Sequence, residues 1–188
     1  MLVLASSSPR RKELMDMLGY QYIVKVSDCN EDIGDISCQD TVAELSRRKA
    51  KAVIDQCNKD DVIIGSDTLV CIDDKKLGKP IDNNDAFEML SFLSGKVHTV
   101  YTAVSIIFQN KIDTFVSKTD VEFNRLDKAT IMDYINSGDC YDKAGGYGIQ
   151  GKGAVLIKKI IGDYYTVMGL PVSKLYFKLK SLGILPSN

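Results

Sequence analysis

The residues with the clearest potential for chemistry are a carboxylate and a hydroxyl that follow an apolar run. Val62 to Ile64 lead into Gly65-Ser66-Asp67-Thr68. A short apolar run bounded by glycine predicts a buried strand. We therefore expect Asp67 to lie where this strand leaves the core and its carboxylate faces a cleft. A carboxylate that merely begins a turn is the alternative, and partners elsewhere in the chain must decide between the two.

A phosphate-binding pattern occurs at the start of the first predicted helix, after the hydroxyl run that begins at Ser6. Ser8 is a suitable N-cap and Pro9 suits the first helical position, which places Arg10 and Arg11 in the first turn. Cations are unfavourable at this end of a helix unless an anion is present. Serine hydroxyls, helix N–H groups and two guanidiniums can together bind a phosphate. Two solvated surface arginines are the alternative.

Two lysines occupy places where a positioned cation would be useful. Thr41-x-x-Glu44 predicts a capping box that opens a helix running to about Gln56. Lys49 falls on the apolar face of that helix, where an unpaired charge is costly, unless only its stem is buried and its ammonium reaches solvent. Lys79 stands between a glycine and a proline in a stiff loop, although an ordinary turn lysine fits equally well.

Acidic residues cluster in the polar stretch that follows the predicted strand from Tyr22 to Val26. They are Asp28, Glu31 and Asp32. Acidic residues in loops are usually solvated, so Glu31 becomes significant only if it faces Asp67.

The most glycine-rich part of the chain spans residues 139–153. It matches Gly146-x-Gly148-x-x-Gly151 and most of a P-loop pattern, but both motifs require the loop to open a helix. An apolar segment predicted to be a strand, from Ala154 to Ile161, follows instead. We expect these glycines to let the backbone approach a planar ligand closely. The amide of Gln150 offers a donor and an acceptor, which complement an imide edge such as that of uracil or thymine.

Further strands and helices are predicted by local patterns along the chain. Beyond the elements above, the patterns indicate a helix over 85–93, a hairpin of strands 97–108 and 112–123, a helix capped by Asp127, and a last helix from Pro171 to about Leu182. His98, the only histidine, opens the first hairpin strand, and we interpret it as structural. A length of 188 residues, without repeat or linker, predicts a single domain over residues 1–188.

Composition narrows the class of function. The chain has 45% apolar and 26% charged residues and a formal net charge of -1, so no overall field favours nucleic acid or a membrane surface. The five cysteines include no C-x-x-C pair and are most simply free thiols in a reducing compartment. With no signal-peptide pattern and no apolar run of membrane-spanning length, the sequence predicts a cytoplasmic protein.

Six motifs in this order resemble those of the Maf family of nucleoside triphosphate pyrophosphatases. The resemblance extends to Gly169-Leu170-Pro171 and rests on Ala5-Ser6-Ser7-Ser8-Pro9-Arg10-Arg11, Glu44-Leu45-x-x-x-Lys49-Ala50, Gly65-Ser66-Asp67-Thr68, Gly78-Lys79-Pro80, Leu93-Ser94-Gly95-x-x-His98 and Asp142-Lys143-Ala144-Gly145-x-Tyr147-Gly148-Ile149-Gln150-Gly151.

The resemblance implies an α/β fold with an elongated mixed β-sheet flanked by helices. It also implies two lobes around a central cleft, as in the inosine triphosphatases, which is the Maf/HAM1 type of fold. It also implies hydrolysis of a nucleoside triphosphate to the monophosphate and pyrophosphate with a divalent metal, Mg²⁺ or Mn²⁺. The family often forms dimers, so a homodimer is an open expectation. Asp67 matches the family's catalytic aspartate. The family's polar cleft is matched by Ser6, Arg11, Glu31, Lys49 and Lys79, and the positions tied to base choice among dTTP and UTP enzymes are matched by Arg10, Thr68 and Gln150.

These matches lead to a hypothesis for the reaction. Asp67 and Glu31 hold the metal, Asp67 is the general base, and the clamp on the phosphate oxygens is formed by Arg11, Lys49 and Lys79. Two other functions stay open from the sequence: a pyrophosphatase acting on 7-methyl-GTP, and a nucleotide-binding regulator of cell division, a septum inhibitor, without turnover.

Overall fold

The computed structural model describes residues 1–187 and contains a mixed α/β arrangement. The helices are α1 (Pro9–Met17), α2 (Cys38–Lys51), α3 (Asn83–Leu93), α4 (Lys128–Asn136), α5 (Tyr164–Met168) and α6 (Val172–Ser181). The strands are β1 (Leu2–Leu4), β2 (Tyr22–Val24), β3 (Val62–Ile72), β4 (Lys75–Leu77), β5 (Val97–Phe108), β6 (Lys111–Phe123) and β7 (Ile157–Gly162). Short 3₁₀ helices span Ile54–Gln56, Ala144–Gly146 and Gly151–Leu156.

Seven strands form one sheet in the order β2-β1-β3-β5-β6-β7, with β4 paired to β3. Strand β1 is parallel to both β2 and β3, and Leu4 lies opposite Val24 and Ile64. Strand β1 is completely buried, which explains its unbroken apolar sequence, because a strand covered on both faces needs no polar alternation. The prediction of an α/β protein built on a mixed sheet flanked by helices is confirmed.

The chain divides into two compact units. The first comprises residues 1–67, 102–117 and 169–187, and the second comprises residues 68–101 and 118–168. In the first unit, apolar residues of β1, β3 and the end of α2 share a buried core that includes Val3, Ala5, Ala50, Ile63 and Ile107. Helix α2 therefore packs its apolar face on the strand that carries Asp67.

The core of the second unit surrounds an aromatic cluster. His98, Phe123 and Tyr147 are buried and meet edge to face in pairs, with ring centroids 4.7 to 5.3 Å apart. The Nε2 atom of His98 lies 2.6 Å from the hydroxyl of Tyr147, and burial lowers the pKa of His98 to about 4, although the charge of Asp120 opposes this shift. These contacts support the interpretation of His98 as a structural residue.

The start of α2 corrects the predicted capping box. The helix begins at Cys38 rather than Thr41 and is capped by Ser37, whose Oγ accepts a hydrogen bond from Asp40 N at 3.1 Å. Ser37-x-x-Asp40 provides the cap one turn earlier, and the hydroxyl of Thr41 donates back to the carbonyl of Ser37 at 2.8 Å. The α-helix also ends at Lys51, and a separate 3₁₀ turn reaches Gln56.

Two strand predictions are also corrected. Strand β3 continues through Gly65 and Asp67 to Ile72, so Asp67 lies in the middle of a long strand and not at a strand end. Segment 154–156 belongs to a 3₁₀ helix, and β7 begins only at Ile157. The hairpin after β5 agrees with the sequence, since Gln109 and Asn110 both have positive φ, as a type I′ turn requires. Asp73 and Asp74 form a second turn of this kind between β3 and β4.

The cysteines differ in part from the expectation of five free thiols. Cys29, Cys57 and Cys140 are free, whereas Cys38 and Cys71 are disulfide-bonded, so the prediction is wrong for these two. Within residues 1–187, no helix combines the length and apolar character that crossing a bilayer requires.

Candidate active site

One ammonium joins two carboxylates in the first unit. Lys49 Nζ lies 2.6 Å from Asp67 Oδ1 and 2.9 Å from Glu31 Oε1. The side chains of Lys49 and Asp67 are 15% and 10% exposed, whereas that of Glu31 is 61% exposed. Lys49 is therefore a paired cation rather than a lysine whose tip reaches solvent alone. A loop, a helix and a strand meet at this three-residue group.

Gly65 allows the helix to come this close to the strand. A Cβ built at Gly65 would overlap the carbonyl oxygen of Ser46 and would lie 2.6 Å from Ala50 N. No side chain fits there, so the α2 backbone packs directly on β3. Lys49 immediately precedes Ala50, and Asp67 lies two residues after Gly65, on the same face of the strand. The glycine thus sets the distance between the ammonium and the carboxylate.

The two carboxylates of the cluster favour the charged forms of the nearby basic side chains. Burial lowers the pKa of Lys49, but the charges and hydrogen bonds of Asp67 and Glu31 outweigh burial and leave this pKa above its ordinary value. Burial also lowers the pKa of Arg11, against the opposing charges of Asp67 and Glu31 and with a smaller lowering from Arg10. Arg11 thus lies within the electrostatic field of the carboxylates, beside a second cation. An additional anion would relieve the repulsion between the two arginines.

The segment before α1 holds Arg11 in a defined orientation. Its Nε donates to the carbonyl of Gly169 at 2.9 Å, and its Nη1 donates to Ser6 Oγ at 3.1 Å. The buried hydroxyl of Ser6 also accepts from Ser8 N at 3.3 Å. A hydroxyl that accepts two hydrogen bonds still has a hydrogen to donate, so the Ser6 hydroxyl can donate a hydrogen bond to an anion. Ser8 precedes α1, as predicted, but its side chain makes no capping bond.

In the second unit, the loop that carries Lys79 touches the glycine-rich segment that carries Gln150. Gly145 N donates to the carbonyl of Gly78 at 2.8 Å. A Cβ at Gly145 would lie 3.0 Å from the side chain of Val70, and the positive φ of 71° also requires glycine there. Loop and segment therefore lie against each other near the end of β3.

The glycine-rich segment is shaped by a buried lysine. Lys143 Nζ donates to the carbonyl of Asp139 at 2.7 Å and contacts the carboxylates of Asp139 and Asp142 at 2.6 Å. A Cβ at Gly148 would lie 2.6 Å from Lys143 Cε, so the glycine makes room for the lysine stem. Gln150 follows, half-buried, at the N-cap position of the 3₁₀ helix Gly151–Leu156. Within this unit Gly148 therefore accommodates Lys143, and the expected approach of the glycine-rich backbone to a planar ligand stays a prediction.

Comparison with protein families gives one match over nearly the whole chain. The Maf family, described as Maf-like protein, matches residues 1–182. This chain belongs to the Maf family.

Curated relatives of this Maf protein are named for an activity. A protein from Bacillus pumilus (strain SAFR-032), named dTTP/UTP pyrophosphatase, is 46% identical over 186 residues, which is 98% of this chain and 98% of the relative. A protein of the same name from Bacillus anthracis is 46% identical over 184 residues, covering 97% of this chain and 96% of the relative. The likeness therefore extends over nearly the whole chain.

A solved structure supports the fold alone. A HAM1 protein from Coxiella burnetii matches with a TM-score of 0.51 over 96% of this chain and 98% of that protein, at 15% sequence identity. The predicted likeness to the HAM1 type of fold is confirmed.

The donor set of the Maf site fits a hard divalent cation. Glu31 and Asp67 direct carboxylate oxygens at the same ammonium, and Mg²⁺ typically binds one or two carboxylates together with substrate phosphates. Among residues 1–187 there is no group of three or more His, Cys, Asp and Glu side chains that could hold a metal by itself. The two carboxylates therefore suit a metal that arrives with a phosphate ligand.

The structure brings together several of the predicted site residues of this Maf protein. Glu31, Lys49 and Asp67 form one group, and Ser6 bonds to Arg11, with Arg10 beside it in the first turn of α1. Thr68 follows Asp67 in β3 and belongs to the second unit, as do Lys79 and Gln150. The roles of all nine residues toward a substrate stay predictions.

Two further residues were not found by reading the sequence. Arg48 bonds to the loop around Glu31, and Ser66 donates from a buried hydroxyl to the carbonyl of Gly169 at 3.1 Å. The spacing Glu44 to Arg48 is an i,i+4 pair and could have pointed to Arg48. No local signal pointed to Ser66, because its acceptor lies 103 positions away in the sequence.

Proposed function

We propose that this Maf protein hydrolyses dTTP and UTP to the nucleoside monophosphate and pyrophosphate. The names of relatives 46% identical over nearly the full length support the substrates. The observation that carries the reaction is the convergence of Asp67 and Glu31 on Lys49 Nζ at 2.6 and 2.9 Å. Two carboxylates beside a polyanion favour turnover over simple binding, because they would repel the nucleotide without a compensating cation.

The bond that breaks joins the α-phosphorus to the oxygen it shares with the β-phosphorus. A water oxygen forms a new bond to the α-phosphorus, and pyrophosphate leaves with the bridging oxygen. Asp67 is the general base, and its carboxylate takes the proton that the water loses. Its position in the middle of β3 gives this base a rigid backbone.

The basic residues manage the negative charge of the substrate. Lys49 neutralises part of the charge of the two carboxylates, which lowers repulsion as the triphosphate approaches. Arg11, fixed through Gly169 and Ser6, presents its planar group to phosphate oxygens. Lys79, in its short loop, contributes a further charge as negative charge develops on the leaving pyrophosphate.

Glu31 and Asp67 would hold the divalent metal, Mg²⁺ or Mn²⁺. The chemistry that such an ion supplies when bound is neutralisation of charge on phosphate oxygens and activation of water.

Three residues would select the base. The amide of Gln150 offers one acceptor and one donor to the imide of uracil or thymine. Arg10 and Thr68 complete the recognition, Arg10 from the first turn of α1 and Thr68 from β3. Thr68 directly follows Asp67, so the residue proposed to recognise the nucleobase and the residue proposed to accept the proton are neighbours on one strand.

The broader context of the protein is also proposed. The chain acts as a single pyrophosphatase domain over residues 1–188 in the cytoplasm, where nucleotide pools are maintained, and forms a homodimer. Its formal net charge of -1 gives no overall attraction for nucleic acid or membranes, so the partner is the nucleotide itself.

A nucleotide panel tests this proposal. dTTP, UTP, CTP, ATP, GTP and 7-methyl-GTP are incubated with the protein and Mg²⁺ or Mn²⁺, and the products are separated. We expect monophosphate and pyrophosphate, with dTTP and UTP fastest. Reaction in ¹⁸O-labelled water should place the label in the monophosphate. Diphosphate with inorganic phosphate, label in pyrophosphate, preference for 7-methyl-GTP, or binding without turnover would each overturn the proposal.

A further inference from the structure

The loop that carries Glu31 is attached to helix α2 by the side chain next to Lys49. Arg48 Nη1 donates to the carbonyl of Asn30 at 2.9 Å and to the carbonyl of Asp32 at 2.8 Å. These two carbonyls flank Glu31 on either side. Arg48 therefore hydrogen-bonds to the backbone immediately before and after Glu31, whose carboxylate contacts Lys49.

Arg48 is itself held in place. Its Nε donates to Glu44 Oε1 at 3.1 Å, one helical turn earlier, and this hydrogen bond is the main reason that the pKa of Glu44 lies below its usual range. Its side chain is 32% exposed. A planar guanidinium can bond the carboxylate through one edge and two carbonyls through another, which an ammonium cannot do with the same geometry.

The loop needs such an attachment. Asp32 N donates to Asn30 Oδ1 at 2.8 Å and Gly34 N donates to Asp32 Oδ1 at 3.3 Å. These bonds shape the turn internally, but they do not connect it to the helix. Glu31 is 61% exposed, so packing fixes its side chain little. Hydrogen bonds to a charged group are the stronger kind, and Arg48 supplies two of them to this backbone.

We propose that Arg48 is a positioning residue that holds the Glu31 loop against α2, so that the Glu31 carboxylate stays beside Asp67 and Lys49. Arg48 does not touch the reacting atoms. It acts through Glu31, whose assignment to the metal rests on the proposed function. Residues that orient metal ligands typically change metal affinity or activity by about ten- to a hundred-fold when they are replaced.

Arg47 provides a matched control on the same helix. Its Nη1 lies 2.8 Å from Glu44 Oε2 and its side chain is 39% exposed, close to the exposure of Arg48. Arg47→Gln and Arg48→Gln therefore each remove one positive charge and one contact with Glu44. Of the two, Arg48→Gln alone removes the bonds to Asn30 and Asp32.

The test has two measurements. ¹⁵N relaxation of the protein without metal or nucleotide gives backbone order parameters for residues 28–34. In Arg48→Gln we expect them to fall from about 0.85 towards 0.6 or lower, with no change in Arg47→Gln. We expect the Mg²⁺ concentration for half-maximal turnover to rise about ten- to a hundred-fold in Arg48→Gln, with turnover at saturating Mg²⁺ little affected. If Arg48→Gln does not fold, Arg48→Lys replaces it and should shift both quantities in the same direction.

Equal order parameters in the Arg47 and Arg48 variants would overturn the inference. So would a loosened loop without any change in the Mg²⁺ requirement, because Arg48 would then be structural only. A wild-type protein that hydrolyses no triphosphate would contradict the proposed function instead, and the order parameters would still decide whether Arg48 holds the loop.

Discussion

At the scale of single residues, the site depends on one ammonium shared by two carboxylates. Lys49 is mostly buried and lies within 3 Å of both acidic groups, 2.6 Å from Asp67 and 2.9 Å from Glu31. Without it, Glu31 and Asp67 would face each other uncompensated, and an incoming triphosphate would add further negative charge. Lys49 thus acts on the site before any substrate arrives.

Replacing this lysine should reduce turnover strongly. We expect Lys49→Met to lower turnover about 10²- to 10³-fold, the usual effect of losing one preorganised electrostatic group in an active site. The measurement is the rate of pyrophosphate release from dTTP at saturating Mg²⁺. Lys51→Met, at an exposed position two residues further along α2, serves as the control and should keep the wild-type rate. Equal rates in the two variants would contradict this role.

At the scale of elements, the contact between α2 and β3 determines where Lys49 can reach. Gly65 leaves no space for a side chain beneath Ser46 and Ala50. The helix also begins one turn earlier than Thr41 because of its Ser37 cap. Lys49 and Arg48 lie in the last turn of this helix, which brings one side chain to Asp67 and the other to the Glu31 loop.

Adding one methyl group at this contact should destabilise the protein. We expect Gly65→Ala to lower the free energy of unfolding by about 1–3 kcal/mol or more, since the new Cβ meets backbone atoms that cannot rotate away. Gly78→Ala is the matched control, because nothing lies within 4 Å of a Cβ there and φ is not positive. Urea denaturation measures the free energy of unfolding of both variants. A Gly65 variant as stable as the Gly78 variant would show that α2 adjusts freely.

The sequence predicted most elements but not the contacts between them. Most helices and the hairpin of β5 and β6 could be predicted, because their signals are local. The continuation of β3 through Gly65 could not, because that glycine is required by a helix 15 residues away rather than by a turn. The pattern predicts a strand over residues 154–156, the end of the 3₁₀ helix Gly151–Leu156, for a related reason. Its apolar residues fit either structure, and periodicity cannot separate short segments.

The candidate site shows the same division. Residue types and the family resemblance point to Asp67, Lys49 and Glu31, and the structure places these three side chains together. The hydrogen bonds of Arg48 to this loop could not be predicted, because their acceptors are the backbone carbonyls of Asn30 and Asp32. Every residue has a backbone carbonyl, so residue types do not indicate which carbonyl accepts a hydrogen bond.

At the scale of the whole molecule, the buried histidine makes stability depend on pH. The unfolded chain protonates His98 below about pH 6.5, but burial lowers the folded pKa to about 4. Between these values the unfolded state binds more protons, so stability is fully present above pH 6.5 and falls as the pH drops towards 4. The loss from this group should reach about 3 kcal/mol at pH 4.

A variant without a titrating ring isolates this effect. His98→Gln retains an amide that can bond to the Tyr147 hydroxyl, and its free energy of unfolding should change less between pH 7 and pH 4 than that of the wild type. Urea denaturation at several pH values provides the comparison. Parallel pH profiles of wild type and variant would show that His98 is not the group responsible.

The central claim, that Asp67 is the general base for attack on the α-phosphorus, is tested most directly by Asp67→Asn. Pyrophosphate release from dTTP and UTP is measured beside equilibrium binding of the nucleotide. We predict a loss of about 10²- to 10⁴-fold in turnover while the nucleotide still binds. Pyrophosphate release by the variant at close to the wild-type rate would contradict the account.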